Sequence, residues 1–270
     1  MTTKTIKRVG IIGLGAIGKR VLNALKTQHL PDAAYAAIDP LAASAGYAQG
    51  QGIQLVADAQ GLLDWQPDLV IECAGHGAVV HVVPPLLKAG VDVVIASIGA
   101  LADKALARDL EEAADAGGAR LILVSGAIGG LDAMRSARAA GLDEVVYTGR
   151  KPPQAWAGTP AEQEFDLAGI TVPTTIFRGS AAEASMKFPK NANVTAAVAL
   201  SGVGFDATQV ELVADPTVQK NVHEVKVKGA FGELGIWLAN NPLPDNVKTS
   251  WLAALSIEEA VSKQVLTTVF

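Results

Sequence analysis

The chain has 270 residues, with 22 Lys and Arg against 27 Asp and Glu and a formal net charge of −5. Half of its residues are hydrophobic and only 18% are charged, which excludes a disordered chain and provides for one large core or two smaller ones. Mild acidity without a dense Lys/Arg run argues against nucleic acid or an anionic membrane as the main partner.

No apolar run approaches the roughly 20 residues that a membrane-spanning helix needs. Lys4, Lys7 and Arg8 lead straight into residues 9–12 with no signal-type cleavage site, so a cytoplasmic protein is expected. Cys73 is the single cysteine, which excludes an intrachain disulfide and a thiolate metal cluster. The four histidines show no H-x-x-x-H spacing, so no metal is expected.

Residues 8–12 (RVGII) predict a buried strand, 16–27 a helix, 35–39 (YAAID) a second strand and 54–57 a short third. Three further apolar runs, 68–74, 91–97 and 119–126, alternate with helical segments at 79–88 and 103–116. Strands that are apolar throughout and spaced by helices form a parallel sheet covered on both faces. Residues 1–126 are therefore expected to be an α/β domain with a doubly wound, Rossmann-type sheet. After about residue 130 the pattern changes to period two, at 144–149, 171–178, 209–214 and 222–228. In the last of these, His223, Val225 and Val227 point one way and Val222, Glu224, Lys226 and Lys228 the other. With helices at 180–187 and 194–201, residues 127–242 read as a smaller α+β domain whose sheet is mostly antiparallel. Beyond the breaker cluster Asn240-Asn241-Pro242-Leu243-Pro244, residues 249–266 read as a helix. The 243–270 segment is expected to pack back on the first domain.

Gly13-Leu14-Gly15-Ala16-Ile17-Gly18 is a G-x-G-x-x-G directly after the first strand. Gly13 permits a tight turn, Gly15 lets the backbone approach a pyrophosphate, and Gly18 allows close helix–strand packing. Ala16 and Ile17 open the helix, whose N-terminal N–H groups attract an anion. Asp39 ends the second strand about 20 residues further on, where an acid meets an adenosine ribose. No Lys or Arg follows it closely along the chain, so NAD is favoured over NADP as cofactor, with NADP tolerance left open. The bland alternative is a glycine turn that only joins strand to helix.

The densest polar cluster of the second domain is Phe188-Pro189-Lys190-Asn191-Ala192-Asn193-Val194. Lys190 suits a substrate carboxylate and Asn191 a neutral polar group. Asn193, read alone, suits an N-cap better than a ligand contact. His76 follows the strand at 68–74, at whose carboxyl end ligands bind in such sheets. His223 opens a strand, where a lone histidine is more often a structural hydrogen-bonding residue than a catalyst, so position alone leaves it open.

These residues carry a resemblance to the NAD(P)-dependent L-aspartate dehydrogenases. It rests on Ser125-Gly126-Ala127-Ile128-Gly129-Gly130-Leu131-Asp132, on Tyr147-Thr148-Gly149-Arg150-Lys151-Pro152-Pro153, on the 188–194 loop and on Asn221-Val222-His223-Glu224, together with the glycine turn. The resemblance implies oxidative deamination of L-aspartate to iminoaspartate, which hydrolyses to oxaloacetate and ammonia or feeds NAD biosynthesis. It implies that Ala127 and Asn193 contact the dinucleotide, that His223 is the catalytic residue, and that the protein works as a homodimer or larger assembly. A histidine titrating near neutrality suits proton transfer from an amine or water. The competing readings are a dihydrodipicolinate reductase-like or homoserine dehydrogenase-like enzyme, and an NADH-sensing protein without turnover.

Overall fold

The computed structural model describes residues 5–244 and 246–269. The chain forms two compact units, residues 1–124 with 254–270, and residues 125–253.

The first unit alternates β1 (Arg8–Ile12), α1 (Ala16–Ala24), β2 (Ala34–Ile38), α2 (Ala42–Gly50), β3 (Gln54–Leu55), α3 (Ala59–Trp65), β4 (Leu69–Glu72), α4 (His76–His81), α5 (Val83–Lys88), β5 (Asp92–Ile95), α6 (Lys104–Gly117) and β6 (Leu121–Leu123). Its six strands are all parallel, in the order β3-β2-β1-β4-β5-β6. Chain order reverses between β1 and β4, and their carboxyl ends form the switch point where such sheets bind ligands. β4 and β5 are buried throughout, as strands covered on both faces must be. The helix expected over 79–88 is two helices, α4 and α5, because Pro84 and Pro85 lack the N–H groups that would carry one helix through. α1 ends early in a wide π turn, Leu25–His29.

The second unit holds α7 (Leu131–Ala137), β7 (Leu142–Lys151), α8 (Ala161–Glu164), β8 (Thr174–Ser180), α9 (Ala181–Lys187), α10 (Ala192–Ser201), β9 (Gln209–Ala214), β10 (Asn221–Gly229), β11 (Gly232–Asn240), β12 (Pro242–Leu243) and β13 (Asn246–Ser250). Its main sheet runs β11-β10-β7-β9-β8, antiparallel except for the parallel pair β7–β9. β11 was not expected from the sequence; a tight turn between Gly229 and Gly232 joins it to β10. α10 is buried along nearly its whole length and packs with α7 and α9. Ser180 and Glu183 form a reciprocal capping box that starts α9.

The helix expected over 249–266 begins only at Trp251, as α11 (Trp251–Ser262). Residues 246–250 pair with β12 instead, and the Trp251 N–H donates to the Asn241 carbonyl. Ile257, Ala260 and Val261 of α11 join the core built by Val9, Ile11, Leu22, Ile71 and Val94. Among the described residues no helix is long and apolar enough to cross a membrane.

The buried Glu258 carboxylate anchors α11: Arg20 Nε of α1 donates to it at 3.1 Å. Arg20→Ala leaves that carboxylate with His29 Nε2, 4.0 Å away, in place of its guanidinium. The expected loss is about 1–3 kcal/mol in denaturant unfolding, the lower end reflecting the partial exposure of Arg20. Glu258→Gln, which removes the charge together with the need for a counterion, should cost less.

Candidate active site

In the first unit the glycine turn is held from two sides. Gly13 has φ +93°, and a Cβ there would lie 2.9 Å from the Ala74 backbone after β4. A Cβ at Gly18 would lie 2.0 Å from the Gly13 carbonyl oxygen, so only glycine lets α1 start this close to the turn. A Cβ at Gly15 would meet nothing within 4 Å. That space lies beside the N-terminus of α1, whose first N–H groups have no intrahelical acceptor.

Asp39 follows β2 and accepts from the Leu14 N–H at 2.6 Å and from the Leu41 N–H at 2.8 Å. Burial opposes its ionisation, but these two N–H groups, the Ser44 hydroxyl and the Lys19 ammonium together hold its carboxyl below the usual range. Three donors leave about one acceptor direction of an ionised carboxylate open for a hydroxyl. The dinucleotide fits these residues: open space at Gly15 and free N–H groups for phosphate, and one acceptor at Asp39 for ribose. Lys19, with its ammonium 4.7 Å from the centre of the Tyr47 ring, adds a cation near Asp39 that the residues following it along the chain do not supply.

Glu72, fully buried at the end of β4, organises the neighbouring loops. Its carboxylate accepts from the N–H groups of Ala74, Gly75 and Ser97 and from the Ser97 hydroxyl. Burial still raises its carboxyl above the usual range against the pull of those bonds. His76 is half-buried at the first position of α4, just past this loop. Burial, with the Glu72 charge, raises the Cys73 thiol well above its ordinary value and makes it a poor nucleophile.

The second unit gathers a different set. Strand alternation places Tyr147, Gly149 and Lys151 on one face of β7, and His223 of β10 stands opposite Gly149. The Tyr147 hydroxyl and His223 Nδ1 share a hydrogen bond of 2.8 Å. The rings stack with centroids 6.0 Å apart and planes 16° apart. A Cβ at position 149 would lie 2.8 Å from the Tyr147 hydroxyl, so glycine opens the space for this bond. His223 is 5% exposed, and its Nε2 is buried with no hydrogen-bond partner. The expectation that it titrates near neutrality is corrected: burial first, then the Lys151 charge, push it down to about 3.

Lys151, missed as a site residue in the sequence, ends β7. Its Nζ donates to Asn191 Oδ1 and lies 5.3 Å from the centre of the Trp156 ring. Burial pushes its ammonium down to about 8. The signal was the alternation Tyr147-x-Gly149-x-Lys151, which puts a cation on the same face as His223.

Other expectations change. Asn193 is not the N-cap of its helix: α10 begins at Ala192, so Asn193 is exposed in the first turn. Asn191 holds the N-cap position, and its side chain is engaged by Lys151 instead of capping. Ala127 lies in a turn beyond β6, not at a strand end; it is buried, and its carbonyl accepts from Asn240 Nδ2 at 2.8 Å. The Lys190 backbone lies in a short helical turn, and its side chain is outside the described residues.

Residues 132–264 match the family described as aspartate dehydrogenase, C-terminal, and residues 13–124 match the homoserine dehydrogenase NAD-binding domain. The chain is 45% identical over 268 residues to an L-aspartate dehydrogenase of Ralstonia nicotianae, covering 95% of this chain and 97% of that one. An aspartate dehydrogenase structure from Thermotoga maritima superposes with a TM-score of 0.78 at 27% identity, covering 99% of this chain and 100% of that one. A homoserine dehydrogenase from Thiobacillus denitrificans, at 15% identity and a TM-score of 0.59 over 96% and 73% of the two chains, shares the fold. On near full-length identity and on matches in both units, the chain belongs to the L-aspartate dehydrogenase family.

Proposed function

We propose that this protein oxidises L-aspartate to iminoaspartate with NAD(P) as cofactor, the imine then hydrolysing to oxaloacetate and ammonia. The observation that carries the reading, beside family membership, is His223: a buried imidazole with one nitrogen hydrogen-bonded and the other without a protein partner. When bound, the nicotinamide supplies a hydride acceptor. The chain supplies the rest. Gly13, Gly15 and Gly18, with the first N–H groups of α1 at Ala16 and Ile17, hold the pyrophosphate, and Asp39 accepts from a ribose hydroxyl. Ala127 and Asn193 remain dinucleotide contacts in this reading, and His76 and Lys190 remain candidates for substrate.

His223 manages the proton. When Nδ1–H donates to the Tyr147 oxygen, Nε2 is left as an acceptor, able to take a proton from an amine or from water. The exposed Trp237 and Phe231 stand on and beside β11, an edge strand, and support a homodimer. A cytoplasmic setting completes the reading.

The first assay mixes protein, oxaloacetate, ammonium and NADH. Loss of NADH with oxaloacetate but not with pyruvate is expected, and NADH binding without turnover on any oxo acid would indicate a sensor. His223→Ala should lower kcat by about 10²–10⁴ with NADH Kd near wild type; near-normal turnover in the folded variant removes it from catalysis. In cofactor comparisons NAD should give the higher kcat/KM. Asp39→Ala should narrow that gap, while Lys19→Ala should weaken NADPH binding more than NADH binding. A ratio of the two Kd values unmoved by either variant would place neither residue at the ribose. Trp237→Glu should shift the sedimentation mass from dimer to monomer, and a wild-type monomer would end the dimer proposal.

A further inference from the structure

Lys151 carries a positive charge that no described carboxylate balances. Among the described residues no carboxylate lies within ion-pair distance of its Nζ, whereas the neighbouring Arg150 has two, Glu224 at 2.8 Å and Asp215 at 3.7 Å. Nζ has instead a neutral amide oxygen, that of Asn191, and the face of Trp156. Asn191 occupies the N-cap of α10, so the ammonium sits beside the positive end of a ten-residue helix. A cation so placed gains nothing from the dipole and loses hydration. His223, whose buried Nε2 has no partner, is close enough to feel its charge. The described groups around this ammonium are neutral.

We propose that Lys151 is the cationic anchor for a carboxylate of the dicarboxylic substrate. This rests on the aspartate dehydrogenase reading and assigns the substrate charge to a named residue. A carboxylate oxygen on Nζ would replace lost hydration with a charge-assisted hydrogen bond and would lie favourably toward the N-terminus of α10. It would also place the rest of a four-carbon substrate within reach of His223. Binding through Lys151 requires its ammonium form, which predominates below about 8 and is lost above it. Among the described residues, His223 of β10 is a titratable group that feels the Lys151 charge, and Tyr147 lies on the same face of β7. His223 is neutral at any pH well above 3, and burial raises the Tyr147 hydroxyl further above its ordinary range. Arg150 points to the other face, toward Glu224 and Asp215.

The test uses Lys151→Met and Lys151→Gln, with Lys151→Arg as the conservative variant. For Met and Gln, KM for aspartate and for oxaloacetate should rise about 30-fold or more, with kcat changed much less and NADH Kd unchanged. Calorimetric binding of succinate, an unreactive dicarboxylate, should be lost in both, partly restored in Lys151→Arg, and in wild type should weaken as pH rises through about 8. Folding of each variant is checked by its melting temperature. If Lys151→Met is unstable, Lys151→Gln, which can keep a hydrogen bond to Asn191, decides. A KM within threefold of wild type, or succinate affinity unchanged in a folded variant, overturns the assignment. Wild type that turns over no oxaloacetate and binds no succinate overturns the dehydrogenase reading itself, which is a different result.

Discussion

The hydrogen bond between Tyr147 and His223 forms across a position that carries no side chain. A Cβ at Gly149 would meet the Tyr147 hydroxyl at 2.8 Å and Leu212 at 3.3 Å, so even alanine would force that hydroxyl away from His223 Nδ1. The bond fixes the ring, and a fixed ring gives Nε2 a defined direction. Without it a buried histidine would have two unsatisfied nitrogens, each costing about 1–3 kcal/mol. One missing methyl group in the middle of a sheet thus makes room for the bond that orients this imidazole.

The first unit uses the same device at its own switch point. Gly13 lets the turn press against Ala74, and Gly18 lets α1 begin against the Gly13 carbonyl. On the other side of that contact, the buried Glu72 ties the Ala74-Gly75 segment to Ser97 through four hydrogen bonds. A buried carboxylate is expensive unless its oxygens are satisfied, and here every donor comes from the loops it shapes. The rigidity of the dinucleotide platform therefore depends on Glu72 as well as on the glycines. The G-x-G-x-x-G pattern names only half of it.

Fold class was legible because apolar strands at helix-length spacing admit few other arrangements, and the parallel sheet follows from residues 8–12, 68–74 and 91–97. β11 was not legible: Leu234, Ile236 and Leu238 do alternate, but Trp237 on the other face breaks the polar half of the pattern. Asn193 misled for a local reason. Asparagine before an apolar helical run is a good cap, but the Pro189–Asn191 turn delivers the chain so that the helix starts one residue before it. The alternation Tyr147-x-Gly149-x-Lys151 was legible, but nothing near Lys151 in sequence tells that Asn191 meets it or that its charge reaches His223. His223 could be chosen by residue type, yet its neutrality could not, since desolvation is a property of the packed sheet.

That neutrality and the charge on Lys151 belong to one balance. Burial is the larger cause of the low His223 value, and the Lys151 charge adds to it. An anion bound at Lys151 would cancel the second contribution and bring its own negative charge near the ring, and both changes favour a proton on Nε2. Basicity at His223 would then rise with a carboxylate bound at Lys151. In the free protein the imidazole stays uncharged, which is the lower-energy state for a buried ring whose Nε2 has no partner to stabilise a proton. A substrate without a carboxylate for Lys151 would leave His223 as weak a base as burial and the Lys151 charge make it. Selection for an acidic substrate and activation of the proton acceptor would then be the same electrostatic event.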